Sequence, residues 1–199
     1  MKILITLCLL FTLTSCALAP FSANTSGRSY GAGTMQMEVG NSNSNYHIKF
    51  GYGLSTNFDI GYVMEFGNMT TSAIFMKYSF INNDVGPSFA TEFGYGSTES
   101  TTFSYLGGIG SLAFTKEFEL FINPRVNIVE TAETDIELNE SIGNLTVTDY
   151  DVNYLQVNYG FNVWFTESFG MTLYSIWFKG NDIETNESNT IGASFLVKL

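Results

Sequence analysis

From Phe58 to Phe66 every second residue is large and apolar: Phe58, Ile60, Tyr62, Met64 and Phe66. The residues between them, Asp59, Gly61, Val63 and Glu65, are small or charged. A strand sends successive side chains to opposite faces. This segment therefore has one greasy face with aromatics at both ends and one face holding carboxylates. The pattern recurs along most of the chain. Tyr46, Ile48, Phe50 and Tyr52 alternate with His47, Lys49 and Gly51, and Ile74, Met76, Tyr78 and Phe80 with Phe75 and Lys77. Phe118, Leu120, Ile122, Val126 and Ile128 alternate with Glu119, Phe121, Asn123, Arg125 and Asn127. No stretch of comparable length carries the 3.6-residue period of a helix. The chain reads as all-β, with about ten antiparallel strands in a meander and eight as the alternative.

The greasy face holds no charged residue, whereas the other face carries Glu38 and eight further charges. Charged residues make up 14% of the chain and aromatics 16%, a low charge content for a water-soluble domain. A closed barrel with lipid outside and polar side chains inside accounts for both numbers, because only alternate residues meet hydrocarbon. A soluble β-sandwich would use the same period with the greasy face against a second sheet. The ring-rich greasy face and the apolar last strand, with Ile191, Ala193, Phe195, Val197 and Leu199, favour lipid. An even strand number puts both chain ends on one side. The turns after strands two, four, six and eight are short, and the long loops follow strands seven and nine. Short turns facing the periplasm and long loops facing outward are the habit of such barrels. Two short turns share a form, Phe114-Thr-Lys-Glu-Phe118 and Phe165-Thr-Glu-Ser-Phe169. In strand six, Phe103 and Tyr105 fall on one parity and Leu112 and Phe114 on the other, so a β-bulge at Gly107-Gly108 is expected.

The N-terminus reads as an export signal. Lys2 precedes an apolar run over residues 3–13, too short to cross a bilayer as a mature helix. Leu13-Thr14-Ser15-Cys16 resembles the bacterial lipobox. That resemblance implies residues 1–15 as signal peptide, acylation of Cys16 and, with Ala17 rather than Asp beside it, sorting to the outer membrane. Ala17-Leu18-Ala19 offers an ordinary signal-peptidase cut, but Pro20 would follow it directly. Cys8 lies in the segment to be removed, so no disulfide or thiolate metal site is available. Residues 16–33 are expected to be a lipidated flexible tether, rich in Ser, Gly and Ala, and residues 34–199 the barrel. The anchor is expected at the periplasmic face.

Tyr105-Leu-Gly-Gly-Ile-Gly110 and Gly53-Leu-Ser-Thr-Asn-Phe-Asp-Ile-Gly61 resemble stretches of small bacterial outer-membrane β-barrel proteins of the opacity and porin-like kind. The resemblance implies an outer-membrane barrel inserted by the barrel-assembly machinery, in contact with membrane lipid and lipopolysaccharide. Such proteins usually end in Phe or Trp; this chain ends in Leu199.

The interior charges expected to form a network are Lys49, Asp59, Glu65, Lys77, Glu92, Glu117, Glu119 and Arg125. In a narrow barrel, pairs of this kind plug the lumen, and bulky Phe75, Phe121, Trp164 and Tyr174 also face inward. Their acidic excess suits a narrow cation-preferring pore as the alternative. His47, the single histidine, falls on the interior face; a lipid-modifying enzyme would need it at the outer rim with a serine in reach. The interruption between strands seven and eight carries Glu130, Glu133, Asp135, Glu137, Glu140 and Asp149, candidate contacts for cations or bridged lipopolysaccharide. The net charge of -11 argues against nucleic acid. The reading is a barrel lipoprotein with a structural or surface-interaction role, no cofactor and no catalytic residue. The alternatives are a pore, an outer-leaflet enzyme or a soluble periplasmic lipoprotein.

Overall fold

The computed structural model describes residues 19–42, 45–67, 70–98, 101–131, 134–137, 144–147, 150–180 and 190–199. The strands are β1 (Met35–Ser42), β2 (Asn45–Gly53), β3 (Phe58–Phe66), β4 (Thr70–Ile81), β5 (Gly86–Ser97) and β6 (Thr101–Ala113). They continue as β7 (Phe118–Thr131), β8 (Thr134–Glu137), β9 (Asn144–Val147), β10 (Tyr150–Trp164), β11 (Phe169–Gly180) and β12 (Thr190–Lys198). Ten of them form a closed antiparallel meander in the order β1-β12-β11-β10-β7-β6-β5-β4-β3-β2. The seam is the β1–β12 ladder, from Gln36↔Lys198 to Ser42↔Gly192. Closure removes the free edges that an open sheet would expose. β8 and β9 pair only with each other, as a hairpin between β7 and β10.

The alternation read from the sequence decides the two faces. Phe50, Tyr62, Ile74, Met76, Phe93, Leu106, Ile122, Val126 and Phe195 are exposed on the outside. Among strand residues with described side chains, the outward charges are Glu130 and Lys179, both at strand ends. An apolar belt this continuous is a lipid-facing surface, since in water it would be an aggregation site. The sandwich alternative fails because the sheet closes on itself and, among the described residues, no second layer covers the belt.

One mouth of the barrel holds the short turns 54–57, 82–85, 114–117 and 165–168 together with Met35 and Leu199. The other holds the long interruptions, including the β8–β9 hairpin. Three short turns have one hydrogen-bond scheme. The N–H groups of Leu54 and Ser55 donate to the Phe58 carbonyl, those of Phe114 and Thr115 to Phe118, and those of Phe165 and Thr166 to Phe169. The hydroxyl of Ser55, Thr115 or Thr166 accepts the N–H groups two and three residues on. Glu117 is the last residue of such a turn and lies exposed, so it does not belong to the interior network expected of it. The strand begins one residue later than the alternation implies because Thr115 draws Glu117 into the turn.

The expected bulge at Gly107-Gly108 is absent. The β5–β6 register runs unbroken through Glu92↔Gly107 and Thr91↔Gly108, and Phe103 and Tyr105 point inward, 2% and 4% exposed. They fit because a glycine faces each across the ladder: Gly96↔Phe103 and Gly94↔Tyr105. Gly61↔Phe75 and Gly192↔Tyr174 repeat the device. A Cβ at any of these glycines would collide with the facing ring. The irregularity that does occur sits at the end of β4, between Ser79 and Ile81.

Candidate functional site

The lumen holds residues 19–31, and Ala32 and Gly33 lead out of it, exposed at the short-turn mouth. Ala19, Ser22, Ala23, Asn24 and Thr25 are buried on all sides. This corrects the expected flexible tether for residues 19–33; residues 16–18, with Cys16, lie outside the described residues. The segment suits the space physically. Apart from Phe21, positions 19–27 carry small side chains and no charge, so an extended backbone passes between wall residues.

Buried peptide groups need partners, and here the wall supplies them. Each carbonyl of residues 21–26 accepts from an inward-facing side chain. Gln156 and Asn158 donate to Phe21 (2.9 and 2.7 Å), Arg125 to Ser22 (3.2 Å) and Lys49 to Ala23 (2.7 Å). Asn123 donates to Asn24 (2.9 Å), Asn162 to Thr25 (2.7 Å) and Lys77 to Ser26 (3.5 Å). Several N–H groups are met by wall oxygens, carboxylates and hydroxyls both. Glu65 accepts from Phe21 and Ser22 (2.9 and 2.6 Å), Asp59 from Tyr30 (3.2 Å) and Ser111 from Gly27 (3.0 Å). The Tyr154 hydroxyl accepts from Ala19 at 2.8 Å.

Side chains of the segment add specific contacts. Asn24 donates to Glu92 at 2.7 Å, and Asn123 donates to the other Glu92 oxygen at 2.8 Å. Ser26 and Arg28 both donate to Glu119 at 2.8 Å. Ser29 donates to Asp59 at 2.6 Å. Phe21 packs edge-on against Phe178, ring centroids 5.3 Å apart, within an apolar cluster of Val63, Ala73, Phe103, Tyr154 and Ile176. Lys77 Nζ stands 4.2 Å over the Tyr30 ring, and the Arg125 guanidinium 4.6 Å over Tyr105. Gly53 permits the approach at the short-turn mouth, where a Cβ would strike the Gly31 backbone.

Of the interior charges expected from the sequence, Lys49, Asp59, Glu65, Lys77, Glu92, Glu119 and Arg125 are buried. Their partners differ from the expected wall-to-wall pairs. Lys77–Asp59 (3.1 Å) is one such pair. Lys49 pairs with Glu38 (2.5 Å), a residue placed on this face but outside the expected network. Glu65, Glu92, Glu119 and Arg125 instead address the threaded segment. Arg28, which pairs with Glu119, lies upstream of the alternating segments and carries no sign of an interior role in the sequence. The signal that could have found the segment is its own composition: small, uncharged residues upstream of a barrel whose inner face is rich in amides and charges.

His47 is 1% exposed, with Nε2 3.2 Å from Glu38 Oε1. Ser194 donates to the same oxygen at 2.8 Å. The ring braces a buried carboxylate and is sealed from the rim where a lipid-modifying base would stand. Of the acidic loop residues, Glu130 is exposed at the end of β7, and Asp135 and Glu137 sit on β8. Glu133, Glu140 and Asp149 lie outside the described residues. At the short-turn mouth a cavity of about 230 Å³ opens beside Arg28, Lys49, Lys77, Glu119 and Lys198.

No protein-family model matches the sequence, and no curated protein does. Solved structures with similar architecture include the N-terminal β-barrel domain of OprF from Pseudomonas aeruginosa, at 10% identity and a TM-score of 0.36, covering 83% of this chain and 96% of that one. The KdgM porin in complex with disordered oligogalacturonate matches at 9% identity and 0.42, covering 83% and 97%. Neisserial surface protein A matches at 11% identity and 0.35, covering 83% and 94%. At these identities the likeness is one of barrel fold alone.

Proposed function

We propose that this protein is a bacterial outer-membrane β-barrel held closed by its own N-terminal segment, with a structural or surface-interaction role and no catalysis. The observation that carries this reading is the consecutive series of lumen carbonyls each met by a wall donor. A lumen evolved for solute passage would leave those amides and charges to water. The apolar belt supports residence in a bilayer, and the export signal with strand-only spans supports the outer one. Acylation of Cys16 remains part of the proposal, carried by the lipobox-like sequence.

Planar-bilayer recording tests the closed state. The full-length protein is expected to give no steady conductance. Replacing Phe21 and Arg28 together by Ala removes the apolar anchor and the Glu119 contact, and is expected to produce opening events. Those openings should prefer cations, because the wall acids Glu38, Asp59, Glu65, Glu92 and Glu119 outnumber Lys49, Lys77 and Arg125. Steady conductance from the unaltered protein would overturn the closed-barrel reading in favour of a pore.

A further inference from the structure

We infer that the lumen is the route by which the chain's own N-terminus reaches the cell surface, so that whatever precedes Ala19 is displayed at the loop-bearing mouth. This rests on the closed-barrel reading above and adds a direction to it. The segment runs antiparallel to β7 and parallel to β10, two neighbouring wall strands of opposite direction. On β7, Glu119 holds Ser26 and Arg28, Asn123 holds Asn24, and Arg125 holds Ser22. On β10, Asn162 holds Thr25, Asn158 and Gln156 hold Phe21, and Tyr154 holds Ala19. Both tracks climb from the short-turn mouth towards the loop mouth as the segment's residue numbers fall. β3 agrees: Asp59, beside the turn, holds Ser29 and Tyr30, and Glu65, near the other end, holds Phe21 and Ser22. At the entrance the Gly33 N–H donates to the Gly53 carbonyl at 2.8 Å.

The direction excludes an anchor at the periplasmic face while the segment is seated. Three Cα-to-Cα steps separate Cys16 from Ala19, a reach of at most about 11 Å. Returning from Tyr154 to the short-turn end of β10 at Trp164 takes about 33 Å along the strand. Long loops mark the outer side of such barrels. Acyl chains on Cys16 would therefore enter the outer leaflet, and the barrel would have to close around a segment already in place.

Two measurements on the full-length protein, one after mild extraction and one in cells, test this separately from the closed-barrel reading. The first is Ser22→Cys, which removes a buried hydroxyl that makes no hydrogen bond. A membrane-impermeant maleimide should fail to label position 22 in the folded protein extracted in mild detergent, and should label it after heat unfolding. The second is a peptide epitope inserted directly after Cys16. Antibody should bind it equally on intact and on permeabilised cells, and the mature chain should retain it. Protection at position 22 with antibody binding only after permeabilisation overturns the surface route and leaves the closed barrel standing. Labelling of folded protein at position 22 overturns both. Loss of the epitope from the mature chain, by cleavage behind Ala19, overturns the display of residues ahead of Ala19 alone.

Discussion

Lys77 and Asp59 illustrate how much one buried pair can hold here. Lys77 is 1% exposed, pairs with Asp59 and donates hydrogen bonds to the carbonyls of Arg28 (2.6 Å) and Ser26. Removing it strands a fully buried carboxylate, which costs about 3–5 kcal/mol when one partner of a buried pair is lost. Lys77→Met should therefore lower the temperature of the heat-modifiable gel shift sharply. Lys77→Met combined with Asp59→Asn should recover part of the loss, because the orphan charge is gone. Equal loss in single and double variants would show that the two residues are not coupled. Gly53 makes a second point at this scale. Its Cβ would meet the Gly31 backbone, which cannot swing away as a side-chain tip would. Gly53→Ala is expected to cost about 1–3 kcal/mol by overpacking, read as a lower unfolding midpoint, even though alanine suits a strand better than glycine does.

The short turns are the elements that repeat. In the Thr115 turn a single hydroxyl accepts the N–H groups of Glu117 and Phe118, each at 3.2 Å. The flanking Phe114 and Phe118 rings lie 5.9 Å apart on the outer surface. Such rings suit the membrane–water interface, where an aromatic body meets lipid and the polar turn meets water. Thr115→Val keeps the shape and loses the acceptor, so it should cost about 1 kcal/mol. Thr115→Ser should cost much less, and urea titration of refolding into vesicles distinguishes the two. The two-membered form of this turn is visible in the sequence through its flanking phenylalanines. The third member, Leu54 to Phe58 with Ser55, escapes notice there because leucine replaces the first ring, yet its hydrogen bonds are the same.

At the scale of the whole molecule the decisive fact is that the barrel is inside out relative to a soluble protein, and its inside is occupied. Val126, half exposed in the middle of β7, faces the belt. Val126→Arg should cost about 2–4 kcal/mol of folding free energy in vesicles, and Val126→Leu next to nothing; an equal, small effect of both would deny that the belt meets hydrocarbon. The faces, the all-β class, the meander and the strand number close to ten were legible from residue alternation alone, because a period of two is a local property and survives any tertiary context. Alternation also placed Lys49, Asp59, Glu65, Lys77, Glu92, Glu119 and Arg125 on the inner face. Three matters were decided only by the closed sheet. Phe103 and Tyr105 go inward without a bulge because Gly94 and Gly96 on the neighbouring strand leave room, a cross-strand fact. Glu117 stays outside because Thr115 captures its N–H in a turn. Residues 19–33 carry no period and little bulk, so by themselves they read as a linker. What orders them is a ring of donors and acceptors drawn from seven different strands, β2, β3, β4, β5, β6, β7 and β10, and that ring exists only once the barrel has closed.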